Sequence, residues 1–308
     1  MKILVTGGAG FIGSHVLEML VRDKDNVITV MDNLASGNKE NIPVNVTFIE
    51  EDIRSSNVLK VFQERNFDAV IHLAAQTMVP YSIENPSEDA DINLQGLINI
   101  LEAARLTGVK TIVFSSSAAV YGNSTSLPLN ENEPLLPNSF YGITKMTTEH
   151  YLRVYHELYG LNTTVLRFAN VYGERQGIGG EGGVVCIFSR KIAANKSIDV
   201  FGDGEQTRDF VYVKDIARVL YSALEHKGFG VFNVSTNTEV SVNELIKTFE
   251  KVSGAKIKIN YVSERAGDIY RSVLNNKALK MEFPIGTLTS LEEGLRNTYN
   301  YFAHAGRK

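Results

Sequence analysis

Tyr141 and Lys145 stand four residues apart in Tyr141-Gly-Ile-Thr-Lys145. On a helix, that spacing puts both side chains on one face. A cation beside a phenol lowers its pKa, so such a Tyr can take a proton from an alcohol hydroxyl near neutral pH. With 13 tyrosines in the chain the pair is a weak signal alone, and a surface helix with a half-buried Tyr is the plain alternative. Ser117 strengthens the pair. It ends the apolar run Thr111–Phe114 after two further serines, where its hydroxyl can hold the same substrate oxygen.

A second constellation is glycine-rich: Thr6-Gly-Gly-Ala-Gly-Phe-Ile-Gly-Ser14, directly after Ile3-Leu4-Val5. Val16, Leu17 and Leu20 then recur at helical spacing. This is a strand, a tight turn and a helix. Gly7, Gly10 and Gly13 fit the spacing of a dinucleotide cradle. Gly10 lets the backbone approach a pyrophosphate, and Gly13 lets the helix pack tightly on the strand. The helix N-terminus offers N–H groups and a positive dipole end to the phosphates. Asp32 follows the next apolar run, Val27–Met31. A carboxylate there accepts from ribose hydroxyls and repels a 2′-phosphate, which favours NAD over NADP.

Strands must carry these groups. β-Branched runs recur at Ile3–Val5, Val27–Met31, Val46–Ile49, Ala69–Leu73, Thr111–Phe114 and Thr163–Leu166. Helix-period segments lie between them, notably Asn57–Arg65, Leu94–Leu106 and Thr144–Tyr159. That alternation predicts an α/β fold with a doubly wound parallel sheet. Small or polar residues follow the runs at Gly7, Asp32, Asp52, Ala74-Ala75-Gln76, Ser115-Ser116-Ser117 and Asn170, so one ligand groove should pass all six strand ends. After Asn170 the rhythm changes. Gly177–Gly183 reads as a mobile loop, Val231–Val234 as a buried strand, Val242–Val252 as a helix, Ile257–Val262 as a half-exposed strand and Leu291–Phe302 as an amphipathic helix.

Composition narrows the partners. The chain has 308 residues, a net charge of −4 and no run of like charges, so nucleic acid and anionic membranes have no electrostatic support. The one cysteine, Cys186, excludes an internal disulfide and reads as buried packing. The six histidines do not cluster at metal-ligand spacing, and His72 reads as a core histidine. With no signal peptide or apolar span, the expectation is a metal-free cytoplasmic protein. Tyr151, Tyr155 and Tyr159 read as core or dimer interface.

Together the motifs resemble the extended short-chain dehydrogenase/reductase superfamily, and within it the nucleotide-sugar 4-epimerases. The resemblance rests on Thr6–His15, Asp32-Asn33-Leu34, His72–Gln76, Ser115–Gly122, Tyr141–Lys145, Leu166–Gly173, Phe201–Val213 and Arg265–Asp268. It implies a Rossmann-type sheet at residues 1–169, with 211–236 returning to it, and a smaller α/β nucleotide-sugar unit at 170–210 and 237–308. It also implies Ser117, Tyr141 and Lys145 as the catalytic triad. On the NAD side it implies Phe11 and Ile12 along the pyrophosphate, Asp32 and Asn33 on the ribose, and Ser36 and Gly37 near the adenosine. Asp52 and Ile53 would flank the adenine. Leu73, Ala74, Ala75, Gln76 and Ser115 would line the cofactor path, braced by Asn93. Asn170, Val184, Phe201, Arg208, Asn233, Arg265 and Asp268 resemble the nucleotide-sugar side, where two arginine forks suit a diphosphate. Pairing of Asn93–Leu106 and Thr144–Tyr159 with their copies implies a homodimer.

The resemblance also narrows the reaction. Related dehydratases place Asp-Glu after the serine, where this chain has Ala118-Ala119. That leaves 4-epimerisation of a UDP-sugar through a transient 4-keto sugar. A simple nucleotide-sugar oxidoreductase or a non-catalytic NAD-sensing protein remains as an alternative, and dTDP as the alternative nucleotide. Glucuronate epimerases carry an Arg where Gly177 stands here, so a neutral hexose is expected. The pocket-wall position seven beyond Arg265 is Ser272, small enough for an N-acetyl group.

Overall fold

The computed structural model describes residues 1–177, 182–264 and 269–305. Arg265, Asp268 and part of Gly177–Gly183 lie outside them.

Seven strands form one sheet: β1 Lys2–Thr6, β2 Val27–Asp32, β3 Thr47–Glu50, β4 Ala69–His72, β5 Thr111–Ser117, β6 Asn162–Phe168 and β7 Phe229–Val234. Every pairing is parallel, in the order β7-β6-β5-β4-β1-β2-β3. Strand β1 shows why. Ile3 and Val5 face one core layer and Leu4 the other, so the strand is apolar on both sides. One layer holds Val16, Leu17 and Leu20 of helix α1 (Phe11–Leu20), against Ile216, Val219 and Leu220 of the helix Val213–Ser222. The opposite layer holds Val58 and Phe62 of α2 (Val58–Arg65), Leu97, Ile100 and Leu101 of α3 (Gly96–Thr107), and Leu152 and Tyr155 of α4 (Phe140–Tyr159). The chain order reverses between β1 and β4, and the ligand crevice of such sheets lies at that switch point.

The later segments build a third cluster. Val185 and Phe188, Ile198 and Val200, Leu245, Ile246 and Phe249, and Leu295 pack together. They come from the helix Val184–Ala193, the parallel pair Ile198–Phe201 and Ile259–Val262, and the helices Val242–Ser253 and Leu291–Ala305. A capping box, Ser241 with Glu244, starts the helix Val242–Ser253, and Gly254 ends it at φ +68°. The expected strand at 257–262 is shorter, Ile259–Val262, and mostly exposed.

Helices α1 and α4 begin earlier than apolar periodicity suggests, because their starts are fixed by backbone and caps. Gly10 starts α1 without a side-chain cap. Ser139 caps α4 by accepting from the N–H of Gly142 at 3.2 Å. Tyr141 therefore sits in the first turn of α4. Among the described residues no helix is long and apolar enough to cross a membrane, and no group of His, Cys, Asp and Glu could hold a metal.

Candidate active site

The glycine cradle is enforced by contact. Gly7 has φ +70°, and a Cβ there would lie 2.7 Å from the Ala74 nitrogen. A Cβ at Gly13 would lie 2.2 Å from the Gly7 carbonyl oxygen. Gly10 supplies no side-chain cap, and no acid stands in the first turn of α1, so the N–H groups around Phe11 and Ile12 suit an anion. Asp32, at the end of β2, accepts from the N–H of Ala9 at 2.9 Å and of Leu34 at 2.8 Å. It thus staples the glycine turn. Asn33 donates to Asp52 at 2.8 Å. Asp52 is also bound by Arg54, which holds its carboxyl far below the usual range. Ser36 is exposed and Gly37 packs on Ala9, while buried Ile53 fills the space beside Gly96. These groups fit a dinucleotide: an uncapped helix start for phosphate, then carboxylate and amide acceptors at successive strand ends.

The chemistry sits at the ends of β4 and β5. Ser117 accepts from the N–H of Ala119 at 3.2 Å, and its hydroxyl acts to lower the Tyr141 phenol pKa. Lys145 is buried and donates to the Ser115 carbonyl at 2.8 Å. Its Nζ lies 4.7 Å from the centre of the Phe114 ring and 5.8 Å from that of Tyr141. The three expected residues are therefore together. The expected lowering of the phenol pKa by Lys145 is corrected by the structure. Burial pushes the Tyr141 phenol up to about 12, and the Ser117 hydroxyl pulls against that rise. Lys145 is pushed down to about 8 by burial, with Asp89 and Glu149 opposing the fall. Its ammonium is aimed at a carbonyl rather than at the phenol oxygen.

Beneath the site, Thr6 Oγ1 receives the N–H groups of Leu73 and Ala74 at 3.2 and 3.3 Å, and lies 2.8 Å from His72 Nδ1. With both donors pointing at it, the Thr6 hydroxyl gives its own proton to an unprotonated Nδ1. Burial, with Lys145 nearby, pushes His72 down to about 3, so it is a neutral core histidine. Cys186 is likewise buried, donates to the Gln176 carbonyl at 3.1 Å and has its thiol pushed up by burial. Of the Tyr stripe, Tyr155 is buried, whereas Tyr151 and Tyr159 are exposed.

Two buried networks were not legible in the sequence. Asn93 accepts from the Gln76 N–H at 2.9 Å and donates to the Gln76 carbonyl at 3.1 Å, which is the expected brace. Behind it lies Asp89, fully buried and bonded to Gln76, Asn93 and Thr144. In the second network Glu149 takes both forks of Arg167 and the Ser116 hydroxyl. Arg167 continues to Tyr121 at 2.8 Å, and Tyr121 donates to Asn233 at 2.7 Å. Asn233, expected on the sugar side, is therefore corrected. It is 0% exposed and gives its amide to the carbonyls of Leu129 and Asn275. Its place at the buried end of β7 makes it a fastener.

Of the remaining expected residues, Asn170 is exposed, and Val184, Phe201, Arg208 and Ser272 are half-buried. Arg208 donates to the Thr207 carbonyl at 2.8 Å. Tyr270 is exposed and Arg271 pairs with Glu239, so both lie outside the packed cores.

Residues 3–235 match the family described as NAD dependent epimerase/dehydratase. A UDP-glucose 4-epimerase of Mycolicibacterium smegmatis is 37% identical over 98% of both chains. Among solved structures, the chain is similar to the UDP-glucose 4-epimerase of Thermotoga maritima with UDP-glucose, at 41% identity, TM-score 0.95 and 99% coverage of each chain. It is also similar to a UDP-N-acetylglucosamine 4-epimerase of Methanobrevibacter ruminantium in complex with UDP-N-acetylmuramic acid, at 36% identity and TM-score 0.92, covering 99% and 98%.

Proposed function

Because the chain belongs to the NAD-dependent epimerase/dehydratase family, we propose that it interconverts the 4-epimers of a UDP-hexose through a transient 4-keto sugar. The observation that carries this reading is buried Lys145, bonded to the Ser115 carbonyl with its Nζ 5.8 Å from the Tyr141 ring centre, beside Ser117 at the end of β5, followed by Ala118-Ala119 rather than acids. Ser117 and Tyr141 hold the sugar 4-hydroxyl, and Tyr141 removes its proton and later returns it. NAD, held by the Gly7–Gly13 cradle and Asp32, would supply the hydride acceptor and donor for C4, and a positive ring beside the phenol would lower its pKa. Lys145 fixes the first turn of α4 on β5 and keeps a positive charge beside the ring.

The two functional units are read as 1–169 with 211–236 for NAD, and 170–210 with 237–308 for the nucleotide sugar. Phe201, Arg208, Val184 and Asn170 are read on the sugar side, with Arg265 and Asp268. Gly177, at φ +72° and with Cys186 2.9 Å from a built Cβ, disfavours the Arg that would meet a sugar carboxylate, which supports a neutral hexose. Ile143, Tyr151, Val154 and Leu158 form an exposed apolar stripe on α4. We read it as the face of a homodimer.

The test is incubation of the purified protein with UDP-glucose, UDP-galactose, UDP-N-acetylglucosamine and UDP-glucuronate, with products read by NMR and NAD by mass spectrometry. Epimer pairs with no NADH released support the reading. Stoichiometric NADH would replace it with a net oxidoreductase, and copurified NADP would overturn the role of Asp32.

A further inference from the structure

Asp89 is a buried acid that the proposed reaction does not use. It lies in the short helix Pro86–Ala90, is 0% exposed, and makes no ion pair among the described residues. Its oxygens accept instead from Gln76 Nε2 at 2.6 Å, Asn93 Nδ2 at 3.2 Å and Thr144 Oγ1 at 3.0 Å. Gln76 belongs to the loop after β4, and Thr144 is the residue before Lys145. Thr144 also lies 3.0 Å from the Tyr141 carbonyl. One carboxylate thus joins the cofactor loop to the first turn of the catalytic helix.

We infer, resting on the epimerase reading, that Asp89 is a positioning residue that locks the Gln76 loop to α4 and sets its carboxylate behind the Tyr141–Lys145 pair. A buried carboxylate without a formal counter-ion is costly unless several donors hold it. Here three neutral donors hold it, so its charge acts on the neighbouring cation rather than being cancelled. Lys145 needs that help, because burial alone favours its neutral form. The same charge opposes the Tyr141 phenolate, which leaves ionisation of Tyr141 dependent on positive charge arriving at the site.

Of the other charged groups nearby, Glu149, one turn beyond Lys145, also favours the charged Lys145 but is itself paired with Arg167. Asp91 is paired with Arg54, and Glu88 is bonded to Tyr81 on the exposed side. His72, on β4, is neutral.

Asp89→Asn keeps the shape and removes the charge. Both Tyr141 and Lys145 should then titrate lower, by about one pH unit. The acid and basic limbs of the kcat profile should move down together, and turnover on the acid limb should gain about tenfold relative to the plateau. The ultraviolet phenolate difference between Asp89→Asn and Asp89→Asn/Tyr141→Phe reads the Tyr141 shift without substrate. A failed UDP-glucose assay would therefore strike the epimerase reading and leave this measurement standing. Should Asp89→Asn not fold, Gln76→Leu removes one donor and leaves the charge less neutralised, so Tyr141 should titrate higher than in the wild type. Limbs and phenolate titration unmoved in Asp89→Asn, or Tyr141 unmoved in Gln76→Leu, would overturn the inference.

Discussion

Around Tyr141 and Lys145 the polar side chains are buried and partnered, whereas Phe201, Arg208 and Ser272 are themselves half-buried, the first two on two-stranded pairs. The first region sits on a seven-stranded sheet with apolar layers on both faces. Its geometry is over-determined: moving Lys145 disturbs β5, α4 and the Asp89 network at once. The second packs on a separate apolar cluster that includes the helices Val184–Ala193 and Val242–Ser253. The contrast suits the proposed cycle. A proton acceptor must be rigid, while the pocket must let a sugar turn over.

The largest effect should come from the rigid side. Tyr141→Phe removes the proton acceptor and little else, so kcat should fall about a thousandfold while NAD and UDP-sugar still bind. Equilibrium binding by calorimetry beside turnover checks this. Near-normal turnover would mean that another group is the base.

Next comes a paired comparison of ion pairs. Arg167–Glu149 is 2.6 Å long with both side chains 5% exposed, and Arg271–Glu239 is an exposed pair in the other region. Arg167→Met leaves Glu149 buried and uncompensated, which should cost about 3 kcal/mol or more in urea unfolding. Arg271→Met should leave the unfolding midpoint within error. Equal losses would show that the two regions are equally fastened.

His72 gives a smaller, pH-dependent effect. Its folded pKa of about 3 lies below the ordinary value of 6.5, so only the unfolded chain gains a proton between them. Stability should therefore fall as pH drops below 6.5 and stop falling near 3. At pH 5 the loss is about 2 kcal/mol. His72→Gln should flatten that slope, read as the difference in unfolding free energy between pH 7 and pH 5. An unchanged slope would place the acid sensitivity elsewhere.

The same contrast governs what was legible in the sequence. The Gly7–Gly13 cradle, Asp32 and the Tyr141–Lys145 pair depend on contacts within one strand–turn–helix or one helical turn, so spacing alone reveals them. Even the helix starts were blurred, because Gly10 and Ser139 set them rather than the apolar period. Asp89 was invisible: its partner Thr144 is 55 residues away, and nothing local marks a buried acid. Glu149 does sit one turn beyond Lys145, but Arg167 lies 18 residues further on a separate strand. Asn233 was misplaced because nothing local shows that its side chain turns into the Tyr121–Arg167 chain.

The smallest effect concerns the looser region and its choice of sugar. Ser272 is half-buried, and the residues after it are fixed: Leu129 donates to the Val273 carbonyl at 3.0 Å, and Asn275 donates back to Leu129 at 2.7 Å. The residues before it are spent elsewhere, with Tyr270 exposed and Arg271 held on Glu239. We read Ser272 as the side chain of this strap that walls the sugar pocket, with Tyr270 or Arg271 as the alternative. A small wall leaves space for an acetamido group at C2, so the wild type should accept UDP-N-acetylglucosamine as well as UDP-glucose. Ser272→Tyr fills that space and penalises the larger ligand selectively. The ratio of kcat/KM for UDP-glucose over UDP-N-acetylglucosamine should rise about tenfold or more. The change should appear without loss of stability, because Ser272 belongs to none of the buried networks. A ratio equal to that of the wild type would remove Ser272 from the pocket wall and return the choice of sugar to the side chains near Phe201.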